Sequence, residues 1–293
     1  MGRQQNRIQR RTLFKALLGL CGCVACTPAD SREPFLTAPS PTLRPLATLM
    51  PANTAATAPD PAAPDSGWQP ATTGVEWRNL RITLPDHSAS IPLALVRLDP
   101  ATIRLRIAYT PTQPQALRTW FMAQQPLLAI NAGYFDQAYQ SSALVISDGV
   151  ATGESYSGFG GMLASDTNGA IQIRSLRDAP YNPTEPLQQA IQSAPMLVFA
   201  GGVAATIGDD GERARRSAVA IDRAGRLIFL VAPTSAFSLQ ELANWLATSD
   251  LDIDRALNLD GGSSSGMFLA AANTSIAIDS FSLLPTVILI ESR

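Results

Sequence analysis

From about residue 74 onward, apolar and polar positions alternate in short runs punctuated by Gly, Asp and Pro. The clearest run is "TIRLRIAYT", where Ile103, Leu105, Ile107 and Tyr109 fall on one side and Arg104 and Arg106 on the other. This period of two predicts a half-buried strand with a solvated arginine face. The same reading predicts strands in "VEWRNLRITL", "IPLALVRLD", "LLAI", "SSALVIS", "AIQIRSL", "PMLVFA", "RSAVAID", "RLIFLVA", "ALNL" and "PTVILIES". Two stretches read as helices instead. "ALRTWFMAQQ" stops before Pro126. "LQELANWLATSD" is opened by a capping box, Ser238 to Glu241, and carries Leu239, Leu242, Ala243 and Leu246 as its buried stripe. Strands outnumber helices and do not alternate with them regularly. That predicts an α+β fold: a strand-rich mixed sheet with a few helices, in one domain spanning residues 74–293.

The pattern is absent upstream. Residues 27–73 are rich in Pro, Ala, Thr and Ser without a sustained apolar period. Such a segment buries too little surface to offset its ordering entropy, so it is expected to be a flexible tether. Residues 1–26 have another character. A basic start leads into "RRTLFKALLGL", too short to span a bilayer, and Arg10-Arg11 resembles a twin-arginine export signal. All three cysteines follow, in "LCGCVAC". Both "LCGC" and "CVAC" resemble lipoprotein processing boxes, which makes Cys23 and Cys26 the candidate lipidation sites, with Leu20 and Gly22 favouring Cys23. A plain cleaved signal peptide is the alternative. The expectation is a bacterial exported, membrane-anchored lipoprotein facing periplasm or cell exterior. The body of the protein has no cysteine, so disulfides do not stabilise it.

Composition narrows the chemistry. The formal net charge is −2, so no basic surplus points to nucleic acid. A single histidine, His87, argues against a Ser-His-Asp or Cys-His site and against a multi-histidine zinc site.

Two loops share one design. "NAGYFD", Asn131 to Asp136, and "NLDGGSSSG", Asn258 to Gly266, each follow a buried strand with Asn, then glycine, then polar groups. Glycine lets backbone amides approach an oxyanion. A loop held by rigid strands is where binding and catalysis tend to sit. Either motif alone is weak: "DGG" is more often a turn than a site, and "NAGYF" also fits a turn followed by core aromatics.

In order along the chain, "LLAINAGYFD", "APMLVFAGG", "RRSAVAIDRAGRLIFLVA" and "FSLQELANWLATSDLDIDRALNLDGGSSSGMF" resemble the phosphodiester glycosidase family. The resemblance covers roughly residues 74–293 and is strongest from Leu127. It implies cleavage of the bond between a sugar's anomeric carbon and a phosphodiester oxygen, giving free sugar and a phosphomonoester. Three places depart from the family pattern: Ser142 to Leu144 replace a Pro-x-Gly, Ala220 replaces a glycine, and the glycine loop reads Gly-Gly-Ser rather than Gly-Gly-Gly-Ser. These imply an altered substrate preference.

An oxocarbenium-like transition state calls for carboxylates, and a phosphate leaving group calls more for charge stabilisation than for a general acid. Asp260 is the leading carboxylate, with Asp136 and Glu154 competing for a second role. Arg216 matches the family's arginine and could hold phosphate bidentately, while Arg215 would face the opposite way along a strand. Asn131, Gly133, Gly261, Gly262, Ser263 and Ser264 complete the expected substrate site, and Asp222 reads as a turn residue. No cofactor or catalytic metal is required, and a structural Ca²⁺ near Asp260 would not change the class. Two other classes stay open: a non-catalytic lipoprotein that binds phosphorylated glycans, and a metal-dependent phosphodiesterase, for which the acids are scattered.

Overall fold

The computed structural model describes residues 64–84, 90–208, 211–271 and 274–293. The export segment, the three cysteines, the tether as far as residue 63 and His87 lie outside the described residues. The strands divide into three sheets. The first has eight strands, in the order Gln69–Thr72, Val75–Ile82, Ile91–Leu98, Leu227–Phe237, Ala214–Asp222, Ile253–Asn258, Met196–Phe199 and Val203–Ala204. The second runs Val150–Thr152, Val145–Ser147, Leu187–Ser193, Gly161–Asp166 and Ile171–Ser175. The third runs Thr274–Ile278, Met267–Ala271, Leu128–Asn131, Thr286–Ser292 and Ile103–Tyr109. Two α-helices, Leu117–Gln124 and Leu239–Thr248, complete the α+β architecture among the described residues.

Burial follows the alternation. Ile103, Leu105 and Ile107 enter the main core, while Arg104 is exposed and Arg106 pairs with Glu291 at 2.8 Å. That core lies where the three sheets meet: Val219, Phe229 and Leu257 from the first, Leu163 and Ile191 from the second, and Ile130, Met267 and Ile288 from the third. Each fully buried side chain of this size contributes roughly 1.5–3 kcal/mol. The outer face of the eight-stranded sheet is covered by the helix Leu239–Thr248 through Leu242, Ala243 and Leu246. Its expected capping box is present: the Ser238 hydroxyl accepts from the Glu241 amide (3.2 Å) and the Glu241 carboxylate from the Ser238 amide (2.8 Å). The helix Leu117–Gln124 covers the third sheet with Leu117 and Trp120 against Phe268, Val287 and Leu289.

The folded chain starts earlier than Gly74. Gln69–Thr72 pairs with Val75–Ile82 as an edge strand. Just ahead of it Asp65 accepts two hydrogen bonds from Arg78, at 2.8 and 2.6 Å, and the Arg97 guanidinium stacks on Trp68 at 4.1 Å. Alternation misses this strand because "QPAT" is short and offers one buried residue, Ala71.

Candidate active site

The site is built where two sheets exchange a chain. Ile253–Asn258 belongs to the eight-stranded sheet and Met267–Ala271 to the third, so the segment from Asp260 to Gly266 crosses between them. One side chain ties the crossing. Asn131, 0% exposed, ends the strand Leu128–Asn131. Its Nδ2 donates to the Asp260 carbonyl (2.7 Å), and its Oδ1 accepts from the Ser217 hydroxyl (2.7 Å) and the Gly266 amide (3.1 Å). The Asp260 amide donates to the Ala132 carbonyl (2.9 Å) and the Leu259 amide to the Ser217 carbonyl (2.9 Å). Gly262 then opens a 3-10 turn at φ 59°, the left-handed region that glycine adopts without steric cost.

Asp260 emerges from this frame with its side chain mostly buried. Burial pushes its carboxyl up to about 6, against hydrogen bonds from the Ser264 hydroxyl and the Gly261 amide that favour the ionised form. Asp260 lines a cleft of about 740 Å³ together with Gly261, Gly262, Ser263, Ser264, Asp136, Tyr139, Phe281 and Ser282. Tyr134 lies deeper. Burial first, and the charge of Asp260 second, push its phenol up to about 12, so it stays protonated. Its hydroxyl donates to the Ala194 carbonyl (3.0 Å) and accepts from Asn258 Nδ2 (2.8 Å).

The structure sorts the expected site residues. Asp260, Asp136, Gly261, Gly262, Ser263 and Ser264 share the cleft. Asp136 is also a turn residue, because its Oδ1 accepts from the amides of Ala138 (2.9 Å) and Gln140 (2.8 Å). Glu154 is exposed and is not part of the cleft lining, whereas Asp136 lines the cleft beside Asp260. Asn131 is buried, and each of its hydrogen bonds stays inside the protein, which makes it a brace and not a sugar ligand. Gly133 is a packing glycine: a Cβ there would lie 2.6 Å from the Gln192 carbonyl oxygen. Arg216 cannot offer the expected fork. Its Nε donates to the Phe237 carbonyl (3.0 Å) and its Nη2 to the Glu212 carbonyl (2.8 Å). Only Nη1 faces the glycine loop, 3.5 Å from where a Gly261 Cβ would be. Asp222 is the turn residue expected, accepting from the amides of Ala224 (3.0 Å) and Arg226 (2.8 Å).

Ser217, Tyr134, Phe281 and Ser282 were not singled out by the sequence. Ser217 was legible only as one of the inward positions of a strand, and Phe281 as an apolar residue stranded between serines. Among the described residues, no group of three or more His, Cys, Asp or Glu is placed to hold a metal ion. Two further clefts, around Phe159, Phe199 and Arg177 and around Arg104, Asp166 and Arg293, contain none of the expected site residues.

Two solved structures share this fold. The catalytic domain of zebrafish N-acetylglucosamine-1-phosphodiester alpha-N-acetylglucosaminidase, a structure auto-inhibited by its pro-peptide, superposes with a TM-score of 0.61 at 19% identity, covering 79% of this chain and 89% of that one. A hypothetical protein from Synechocystis superposes with a TM-score of 0.54 at 17% identity, covering 76% of this chain and 63% of that one. At such identities the likeness shows a shared fold. No curated protein matches the sequence. The phosphodiester glycosidase family, however, matches residues 124–291, more than half of the 293. That span includes both strands that the crossing segment joins, the brace Asn131 and every residue lining the Asp260 cleft, and on it the chain belongs to the phosphodiester glycosidase family.

Proposed function

We propose that the protein hydrolyses glycosyl-1-phosphodiesters at the bond between the anomeric carbon and the phosphodiester oxygen. The observation that carries this reading is the Asp260 carboxylate, held by Ser264 and Gly261 at the edge of a cleft that also holds Asp136. As the bond to phosphate breaks, its electron pair leaves with the phosphomonoester and positive charge grows at the anomeric carbon. An ionised Asp260 beside that carbon stabilises the charge, and a water oxygen completes the sugar. One water proton passes to a carboxylate and then to solvent. The phosphate is a weak base, so no strong general acid is needed. Arg216 Nη1 and the Ser263 hydroxyl are among the polar groups that face the glycine loop and could meet the leaving phosphate.

The test is NMR of the full chain with α- and β-linked sugar-1-phosphodiesters in oxygen-18 water. Label in the released sugar supports the reading. Label in the phosphate makes the protein a phosphodiesterase, and binding without turnover makes it a receptor.

The raised carboxyl of Asp260 sets a pH dependence. If the ionised form works, kcat/KM rises as pH passes about 6, and this limb is lost in Asp260→Asn. Stability moves the other way. The folded carboxyl holds its proton up to about 6 and the unfolded one only to 3.8. The wild type therefore loses stability relative to Asp260→Asn as pH rises through that window. Urea titrations of both proteins at pH 4 and pH 7 check it. A wild type that gains on the variant with rising pH contradicts the burial argument.

We further propose export by the twin-arginine route and anchoring through a lipid on Cys23 or Cys26, which the processing boxes support. Among the described residues no helix is long and apolar enough to cross a membrane. Changing both cysteines to Ala should abolish labelling by a radioactive or clickable fatty acid; persistent label would refute the anchor.

A further inference from the structure

Arg215 is an arginine with too few partners. It is 6% exposed, yet among the described residues its guanidinium makes one hydrogen bond, from Nη2 to the Asp279 carbonyl (3.0 Å). Its Nε and Nη1 are buried without a hydrogen-bond partner. Among the described residues no carboxylate oxygen pairs with it directly. The Asp279 carboxylate accepts from the Arg118 amide (3.0 Å) and Nε (3.2 Å) and from the Ser280 amide (3.0 Å). Burial accordingly pushes the guanidinium below its ordinary value. A buried cation with unsatisfied donors is costly, and folds keep one where function needs it. Its placement is also irregular. The register against Leu227–Phe237 breaks at this point: Ala214 pairs with Phe237 and Arg216 with Ala232, so the extra residues, Pro233 to Ala236, stand on the partner strand opposite Arg215, and such breaks occur next to functional sites.

What covers Arg215 is Phe281, whose ring centroid lies 4.0 Å from the guanidinium carbon. Phe281 is 80% exposed and lines the Asp260 cleft. Little apolar burial holds that ring, so its contact with the cation is its main attachment. Its backbone is fixed: the amides of Phe281 (2.7 Å) and Ser282 (3.1 Å) donate to the Ser263 carbonyl, and the Ser282 hydroxyl to that of Ser263 (2.5 Å). The glycine loop and the covering residue therefore move as one body, and rotation of the phenyl side chain alone uncovers the arginine.

We propose that Arg215 is the anion receptor of the cleft, covered by Phe281 at rest and uncovered when the phosphate group of the substrate displaces the ring. This deepens the function proposed above and rests on it for the identity of the substrate. It also supplies the planar donor array that Arg216, bonded to two carbonyls, cannot.

Calorimetric titration of the full chain with inorganic phosphate tests the receptor without requiring turnover. Arg215→Met should weaken phosphate binding at least ~10-fold, as expected for losing a charge-assisted hydrogen bond, and Arg215→Lys should fall between. Phe281→Ala should tighten it several-fold, and carries the test if the Arg215 variants fail to fold. Unchanged phosphate affinity in Arg215→Met overturns the receptor, and unchanged or weaker affinity in Phe281→Ala overturns the cover. A wild type that turns over the diester with a KM indifferent to Arg215→Met sinks the receptor alone. Phosphate binding lost in Arg215→Met, in a protein with no turnover, sinks the glycosidase reading and leaves the receptor standing.

Discussion

Asp260→Asn should lose most of its turnover and leave a folded protein. The exchange keeps the size of the side chain and an acceptor for the Gly261 amide and the Ser264 hydroxyl, the two groups that hold the carboxylate. It removes the charge. If that charge stabilises an oxocarbenium-like transition state, kcat falls at least ~10²-fold, about 3 kcal/mol. The melting temperature at neutral pH should hold or rise, because an ionised carboxylate in this position works against its own burial. Steady-state kinetics with a diester substrate, beside a thermal melt, gives both numbers. Near-wild-type turnover would make "LDGGSSSG" an ordinary turn, and a collapse of the melt would make Asp260 part of the scaffold.

The second large effect is on stability. Asn131→Ala deletes three hydrogen bonds at once, two of them buried and one part-buried, and leaves the Asp260 carbonyl, the Ser217 hydroxyl and the Gly266 amide without this partner. Unsatisfied buried groups cost about 1–3 kcal/mol each. With partial relaxation, a loss of about 3–5 kcal/mol is expected, roughly 10 °C in melting temperature for a domain of this size. Activity should fall with it even well below the melt, because the same bonds hold the residue that bears the carboxylate. Asn131→Ala with a melt within a degree or two of wild type would show that water replaces the amide and that the brace is dispensable.

Much of this was legible where one face is dry and the other wet. The alternation around Ile103 to Tyr109, the stripe of the helix Leu239–Thr248 and its cap all follow from period and end chemistry. Leu187–Ser193 was not legible. "LQQAIQS" is polar at positions that are buried, because Gln189 and Gln192 replace apolar packing with hydrogen bonds: Gln189 accepts from the Ile107 amide (3.0 Å) and Gln192 from the Tyr156 amide (2.8 Å). Hydrophobic pattern cannot find a strand whose interior is made of satisfied amides. The site divides in the same way. Asp260 and its glycines were readable because two loops of one design follow buried strands in the same domain, within motifs that resemble a known family. The roles of Asn131 and the arginines were not, since they depend on partners far along the chain: Ser217 for Asn131, Phe237 for Arg216 and Phe281 for Arg215. Strand periodicity separates Arg215 from Arg216 but is silent on the extra residues, Pro233 to Ala236, that the partner strand carries opposite Arg215.

The crossing segment has an evolutionary consequence. Asp260 to Gly266 is anchored at one end by Ala132 and Ser217 through the backbone, and at the other by Asn131 through Gly266. Its length is set by the separation of two sheets. An insertion or deletion there would shift the register of one sheet against the other. The turn at Asp136 to Gln140 borders the same cleft without joining the two sheets. Divergence toward new sugars or new aglycones should therefore accumulate on that rim, as changes in length as well as residue, while the seam can vary only by substitution.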